Sequence, residues 1–337
     1  MIIKNVCLFL TDIRKGEIWK MEHKKTKIFI DGSEGTTGLR IYERFEKRED
    51  IELISIASEL RKDVEERKRL INASDITFLC LPDAAARESV SLVENPKVRV
   101  IDTSTAHRTE AGWAYGFPEL SKAHEEAVRN GKRVAVPGCH ATGFISLVYP
   151  LIAGGLLAAD YPVTAFSLTG YSGGGKKMIA EYEAESRHKD LAAPREYALT
   201  QQHKHLKEMK KITGLSREPL FSPIVADYYS GMLVSVPLYT EFLKEYKSPQ
   251  AMQGYFAEYY KDKKFIRVEN GTEELYGGMI SGVSLSGWDG LKIYITGNEE
   301  RLVLSAQFDN LGKGASGAAI QCLNIMLGCE EEKGLNI

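Results

Sequence analysis

KIFIDGSEGTTGLRIYERF, Lys27 to Phe45, is the stretch on which the fold turns. Lys27 to Asp31 is a short apolar strand. It runs into a turn built from Gly32, Ser33, Glu34, Gly35, Thr36, Thr37 and Gly38, and Leu39 to Phe45 then has helical spacing. In a strand, glycine turn and helix the glycines let the backbone approach an anion, and the helix N-terminus meets its charge. Ile51 to Ala57 reads as the second strand of a βαβ unit, and Ser58, Arg61 and Lys62 stand where a dinucleotide's ribose would lie. A hydroxyl with two cations suits a 2'-phosphate, so NADP(H) is expected rather than NAD, although Arg61 and Lys62 could equally open the solvated helix that follows. Asp75 to Leu81, Val98 to Asp102 and Val134 to Val136 add further strands of a doubly wound sheet. Ligands gather at the carboxyl ends of such strands. Pro82 follows the third strand and is assigned to the cofactor side. Ser104 and Arg108 follow the fourth, and Arg108 is a candidate phosphate clamp or, with equal weight, half of a surface salt bridge.

Upstream of this stretch, residues 1–24 show no clear periodicity, and Met21 lies just before the first strand. Gly16 and Glu17 are what a ribosome-binding sequence gives when it is translated, so a working start at Met21 is expected. The whole chain has 43% apolar and 27% charged residues with a formal charge of -2, which gives no electrostatic footprint for nucleic acid. Its longest apolar run, Ala141 to Ala159, is interrupted by Gly143, Pro150, Gly154 and Gly155, and no membrane segment or signal peptide is read from it. Five cysteines without a CxxC pair suit reduced thiols in the cytoplasm.

Downstream, Pro137 and Gly138 end the last parallel strand, and Cys139 stands where the apolar helix begins. Free N–H groups and the helix dipole favour an anion there, so the thiol is expected to ionise more readily than a free one and to act as a nucleophile. The alternative is a small cysteine that merely packs.

Beyond that helix the pattern changes. Val163 to Gly170 is extended, and Tyr171 to Lys177 is a second glycine-rich loop whose Ser172 and Gly173 can face a substrate. Arg195, assigned with Ser104 and Arg108 to the substrate and its phosphate, lies in a polar segment leading to His203 and His205, which on an extended backbone would point to one side; one of them can serve as general acid and base for Cys139. His140 is a poor partner because neighbouring side chains diverge. No ligand set for a metal is found. Gly231 to Leu238 is a strand, Tyr255 to Lys261 lies in an aromatic-rich helix, and Leu291 to Phe308 is a hairpin. Strands without intervening helices make this half a mainly antiparallel α+β layer. A last glycine segment, containing Asn310, Gly312, Lys313 and Gly314, precedes an apolar helix to Leu327 that should return to the first domain.

GSEGTTG, VPGCHATG, APREYAL with the following HKH, and DNLGKGASG, in this order, resemble the N-acetyl-gamma-glutamyl-phosphate reductase family of arginine biosynthesis, in its shorter, type 2 class, where His140 and Ala141 replace a tyrosine and proline. The resemblance implies a Rossmann-type NADP-binding domain over 25–138 and a semialdehyde dehydrogenase-like catalytic and oligomerisation domain over 139–308. A C-terminal helix over 309–329 returns to the first domain, and residues 1–24 form an extension without counterpart. It implies Cys139 as nucleophile and His205, with His203 close behind, as acid and base. Arg108 then sits near the substrate phosphate, and Asn310 with the Gly312 to Gly317 loop beside the nicotinamide. An acyl phosphate, inorganic phosphate and a homodimer or homotetramer follow as partners, without nucleic acid or membrane. Competing readings are a reductase of aspartyl or blocked aminoadipyl phosphate, a non-catalytic NADP(H) sensor and a cysteine hydrolase.

Overall fold

The computed structural model describes residues 25–337, so Cys7 and the proposed start at Met21 lie outside the described residues. Its first sheet is made by β1 (Thr26–Asp31), β2 (Ile51–Ile54), β3 (Ile76–Leu79), β4 (Arg99–Asp102), β5 (Ala114–Tyr115) and β6 (Arg133–Ala135), in the order β2-β1-β3-β4-β6-β5 with every pair parallel. Continuous apolar runs such as Ile28 to Ile30 are what a parallel sheet covered on both faces requires. Helices α1 (Thr36–Phe45), α2 (Val64–Ala73), α3 (Asp83–Ser91) and α4 (Lys122–Asn130) provide that cover. The first of them begins at Thr36, earlier than the periodicity suggested, because Gly35 in extended conformation is its cap.

Helix α5 (Cys139–Ala153) leaves this sheet and enters the second half. It is apolar on nearly every side and buried accordingly. Pro150 within it cannot donate to the Ser146 carbonyl, and the buried Tyr260 hydroxyl donates to that carbonyl at 2.8 Å instead.

The second sheet is assembled from β7 (Thr164–Gly170), β8 (Arg195–Glu196), β9 (Leu220–Ala226), β10 (Met232–Tyr239), β11 (Ile266–Val268), β12 (Leu291–Gly297) and β13 (Arg301–Phe308), in the order β11-β12-β13-β10-β7-β9-β8. Most pairs are antiparallel, with β12 and β13 the expected hairpin. Two are not: β7 pairs with β9, and β11 with β12, in parallel. The first crossover is supplied by α6 (Gly175–Tyr182) and α7 (Leu206–Thr213), and α8 (Pro249–Tyr259) packs against β11 and β12. Helix α9 (Gly317–Leu327) then joins the core of the first sheet, where Ala319, Ile320, Leu323 and Ile325 share one cluster with Ile28, Phe78, Ile101 and Val134. Among the described residues no helix is long and apolar enough to cross a membrane.

Candidate active site

A cavity of about 400 Å³ opens where the two sheets meet, and Cys139 lies in its floor beside Arg108, Tyr197, His203 and His205. Two glycines make this approach possible. A Cβ at Gly138 would lie 2.4 Å from both the Arg108 guanidinium and His205 Nε2, and one at Gly314 would lie 2.9 Å from the Cys139 Cβ. Gly314 belongs to a turn of π-helix over Gly312–Ser316 that widens the backbone just ahead of α9.

The electrostatics of Cys139 differ from the sequence expectation. Burial pushes the thiol up to about 11, outweighing the Arg108 charge and the hydrogen bond from the His140 backbone, both of which pull it down. Burial thus favours the protonated thiol over the thiolate. Helix N-termini lower a thiol pKa by a modest electrostatic gain, whereas removing a thiolate from water costs more. Both candidate bases are neutral beside it. Burial and then the Lys204 and Arg108 charges lower His203 to about 4, while burial followed by Arg108 holds His205 well below the usual range. A neutral imidazole can accept the thiol proton.

His203 and His205 do not lie on a strand. They flank a turn leading into α7, and their rings are 4.6 Å apart because the backbone folds back, with the His205 N–H donating to His203 Nδ1 at 3.2 Å. His205 Nδ1 is buried without a partner among the described residues, and its Nε2 lies 3.9 Å from Glu208. Glu208 is a site residue that sequence reasoning missed. Its carboxylate accepts from Arg108 at 2.8 Å, from the Tyr115 hydroxyl at 2.9 Å and from the Gly138 N–H at 3.3 Å. The spacing of His205, the N-cap of α7, and Glu208 in its first turn, three residues apart, was the available signal. Arg108 is thus in a buried ion pair rather than a surface one, and its side chain also donates to the Val136 and Thr103 carbonyls.

Several other predicted residues join the cavity wall. Thr36 and Thr37 from α1, Ser172 and Gly173 from the second glycine loop, and Asn310 with Gly314 from the last one all line it. Asn310 ties two of these segments together, donating to Ser172 Oγ at 3.0 Å and accepting from the Gly231 N–H at 2.8 Å. Among the described residues Thr36 Oγ1 is buried without a partner, and the α1 N-terminus has no side-chain cap. A dinucleotide phosphate would satisfy both. Gly32, Ser33, Glu34, Gly35 and Gly38 surround this helix end without lining the cavity, and Ser58, Lys62 and Pro82 are exposed beyond it. Arg61 is paired with Glu34 and donates to the Ser58 carbonyl at 3.0 Å.

Three predicted site residues are placed elsewhere. Lys313 is sealed in the interior, donating to Glu119 and Gln321 at 2.5 Å each, so it cannot reach a nicotinamide. Ser104 is occupied by Asp102, to which both its hydroxyl and its N–H donate. Arg195 turns onto Tyr182, 5.3 Å above the ring and 3.0 Å from its hydroxyl, away from the cavity. Gly312 packs on the Trp288 carbonyl and positions the π-turn. Among the described residues no cluster of three or more His, Cys, Asp or Glu side chains could hold a metal ion.

Residues 27–128 match the NAD binding domain of semialdehyde dehydrogenase, and residues 139–310 match its dimerisation domain. N-acetyl-gamma-glutamyl-phosphate reductase 2 of Nostoc sp. is 45% identical over 92% of this chain and 99% of that protein. The N-acetyl-gamma-glutamyl-phosphate reductase of Rhizobium meliloti is 44% identical over 90% and 99%. Among solved structures, aspartate semialdehyde dehydrogenase II of Vibrio cholerae has a TM-score of 0.69 at 17% identity, covering 90% of this chain and 99% of that one. The Candida albicans aspartate semialdehyde dehydrogenase with NADP has a TM-score of 0.63 at 15% identity over 90% and 99%. At these identities the structures share the fold.

Proposed function

The chain belongs to the semialdehyde dehydrogenase family and, within it, to the N-acetyl-gamma-glutamyl-phosphate reductases, and on that premise we propose that it reduces N-acetyl-glutamyl 5-phosphate to the 5-semialdehyde in arginine biosynthesis, through a thioester on Cys139. The observation that carries this reading is the convergence of one thiol, three neutral imidazoles and the Arg108 and Lys204 cations on a single cavity.

A histidine accepts the Cys139 proton as Sγ attacks the acyl carbon; we assign this to His205, whose Nε2 faces Gly138 and Glu208. The bond from the acyl carbon to the phosphate oxygen breaks, and Arg108 receives the departing phosphate as a planar, charged donor. Glu208 keeps Arg108 in place while it waits. The α1 N-terminus and Thr36 would hold NADPH, which when bound would supply the hydride for the thioester on Cys139. The Cys139 N–H at the head of α5 faces the oxygen that gains charge, and Asn310 and Gly314 shape the floor beneath it. The carbon–sulfur bond then breaks, the protonated histidine returns its proton, and the aldehyde leaves. The unpartnered Thr36 hydroxyl and the helix end support NADP(H) at this edge, with Ser58, Arg61 and Lys62 for the 2'-phosphate once Arg61 parts from Glu34.

Homo-oligomerisation, as dimer or tetramer, is supported by the dimerisation-domain match and by Phe166, Leu220 and Tyr239, large apolar side chains left exposed on the second sheet. Four free described cysteines suit the cytoplasm as its site of action.

Because the acyl phosphate is labile, the test runs the reaction backward with N-acetylglutamate 5-semialdehyde, NADP and inorganic phosphate. Phosphate-dependent NADPH formation that falls by at least about 10³-fold in Cys139→Ser is the expected result. Turnover only with aspartate semialdehyde or a blocked aminoadipate semialdehyde would move the substrate, and no turnover with any of them would overturn the assignment.

A further inference from the structure

His140, the residue beside the nucleophile, has both ring nitrogens engaged. Nδ1 lies 2.6 Å from Ser167 Oγ on β7, and Nε2 lies 2.6 Å from the Tyr197 hydroxyl on the cavity wall. The ring is neutral, because burial lowers it to about 3, so it carries one proton and the chain can run in either of two directions. The surroundings choose between them. If Nδ1–H donated to Ser167, the serine's own proton would need an acceptor, yet Ser167 is 0% exposed and has no other hydrogen-bond partner among the described residues. A buried unsatisfied donor is costly. In the opposite direction Ser167 donates to Nδ1 and Nε2–H donates to Tyr197. Only the Tyr197 proton is then left over, and it lies where a ligand can take it.

Met178, Tyr197 and Val225 line the cavity together and belong to one apolar cluster with Tyr182 and Leu191, and the cations of the same cavity are Arg108 and Lys204. A neutral phenol donor set among apolar side chains matches a methyl-bearing amide, while the Arg108 and Lys204 cations of the same cavity suit the phosphate and the carboxylate. We propose that Ser167, His140 and Tyr197 form a one-way hydrogen-bond chain whose end donates the Tyr197 phenol proton to the acetamido carbonyl of the substrate, making Tyr197 a specificity-determining residue and His140 its positioning residue. This rests on the functional reading above for the substrate, but the direction of the chain does not.

Two measurements test it. The first is the ¹⁵N NMR tautomer signature of His140 in the folded wild-type protein, assigned by its loss in His140→Gln. The Nε2–H form is expected, and an Nδ1–H form would overturn the chain whatever the enzyme turns over. The second compares wild type and Tyr197→Phe on three aldehydes in the reverse assay: N-acetylglutamate 5-semialdehyde, 4-acetamidobutanal, which lacks the carboxylate, and 5-oxopentanoate, which lacks the acetamido group. A loss of about tenfold in kcat/KM, mainly through KM, is expected for the two acetamido substrates and none for 5-oxopentanoate. Ser167→Ala should mix the His140 tautomers and give part of the same discrimination. Equal losses on all three aldehydes, or a loss confined to those with a carboxylate, would overturn the acetamido assignment. Wild type inactive on N-acetylglutamate 5-semialdehyde would instead bring down the functional reading and leave the tautomer result standing.

Discussion

Two places in this molecule set a cysteine beside a buried cation that is itself paired with a glutamate. At the cavity the set is Cys139, Arg108 and Glu208; under the first sheet it is Cys322, Lys313 and Glu119. In both, burial raises the thiol, to about 11 for Cys139 and about 12 for Cys322, and the cation pulls it part of the way back. What separates them is access. Arg108 and Cys139 line a cavity with three imidazoles, whereas Lys313 is enclosed by Phe117, Phe265 and Gln321, and Cys322 is fully covered. A buried ion pair is thus not a mark of function. Function requires that one member also face a ligand.

The widest separation between the two sets should appear on deleting one charge. Lys313→Met leaves Glu119 buried without its partner and should cost roughly 3–5 kcal/mol of stability, read as a lower denaturation midpoint, with kcat of the remaining folded enzyme unchanged. Adding Glu119→Gln should recover much of that loss. If Lys313→Met instead kept its stability and lost activity, the inner set would be functional and the contrast would fail. Arg108→Ala should lose activity as well as stability: phosphate-dependent kcat/KM should fall by about 10²-fold, mostly through KM for phosphate, while Glu208 is left buried with only the Tyr115 hydroxyl and the Gly138 N–H as donors.

A finer effect concerns the thiol. Alkylation of Cys139 by iodoacetamide in the free enzyme should keep climbing with pH through 9 and 10 towards its value near 11, because the thiolate fraction rises only as that proton leaves. A plateau by pH 9 would mean that Arg108 and the helix end prevail over burial. In Arg108→Ala the climb should move to still higher pH. The smallest effect is expected at Arg195, where Ala should change kcat/KM less than about threefold, since its contacts are with Tyr182.

The same pair of sites shows what the chain reveals before it folds. The β1, glycine turn and α1 unit is written locally, in apolar spacing and glycines, and so is the placement of Cys139 at a helix start by Pro137 and Gly138. Lys313 misled because it sits among glycines in a loop while its partner Glu119 is distant in sequence and near only after folding. Arg195 misled similarly, being a cation in a polar segment whose ring partner is on another element. The direction of the Cys139 shift was unreadable because the helix end is visible in sequence and the depth of burial is not. Glu208 and His140 were within reach. Their partners Arg108, Ser167 and Tyr197, however, come from separate elements that only the tertiary fold brings together.

Helix α9 carries a consequence for how the molecule is made. The first sheet is synthesised early, but its core includes Ala319, Ile320, Leu323 and Ile325, which emerge only after every strand of the second sheet. A nascent chain paused in the second half would hold a nucleotide-binding layer with one side uncovered, presenting Ile28, Phe78 and Val134 to chaperones or to other chains. The two halves therefore cannot mature one after the other, and the layer that receives the cofactor is completed by a helix that leaves the ribosome only after the whole second sheet.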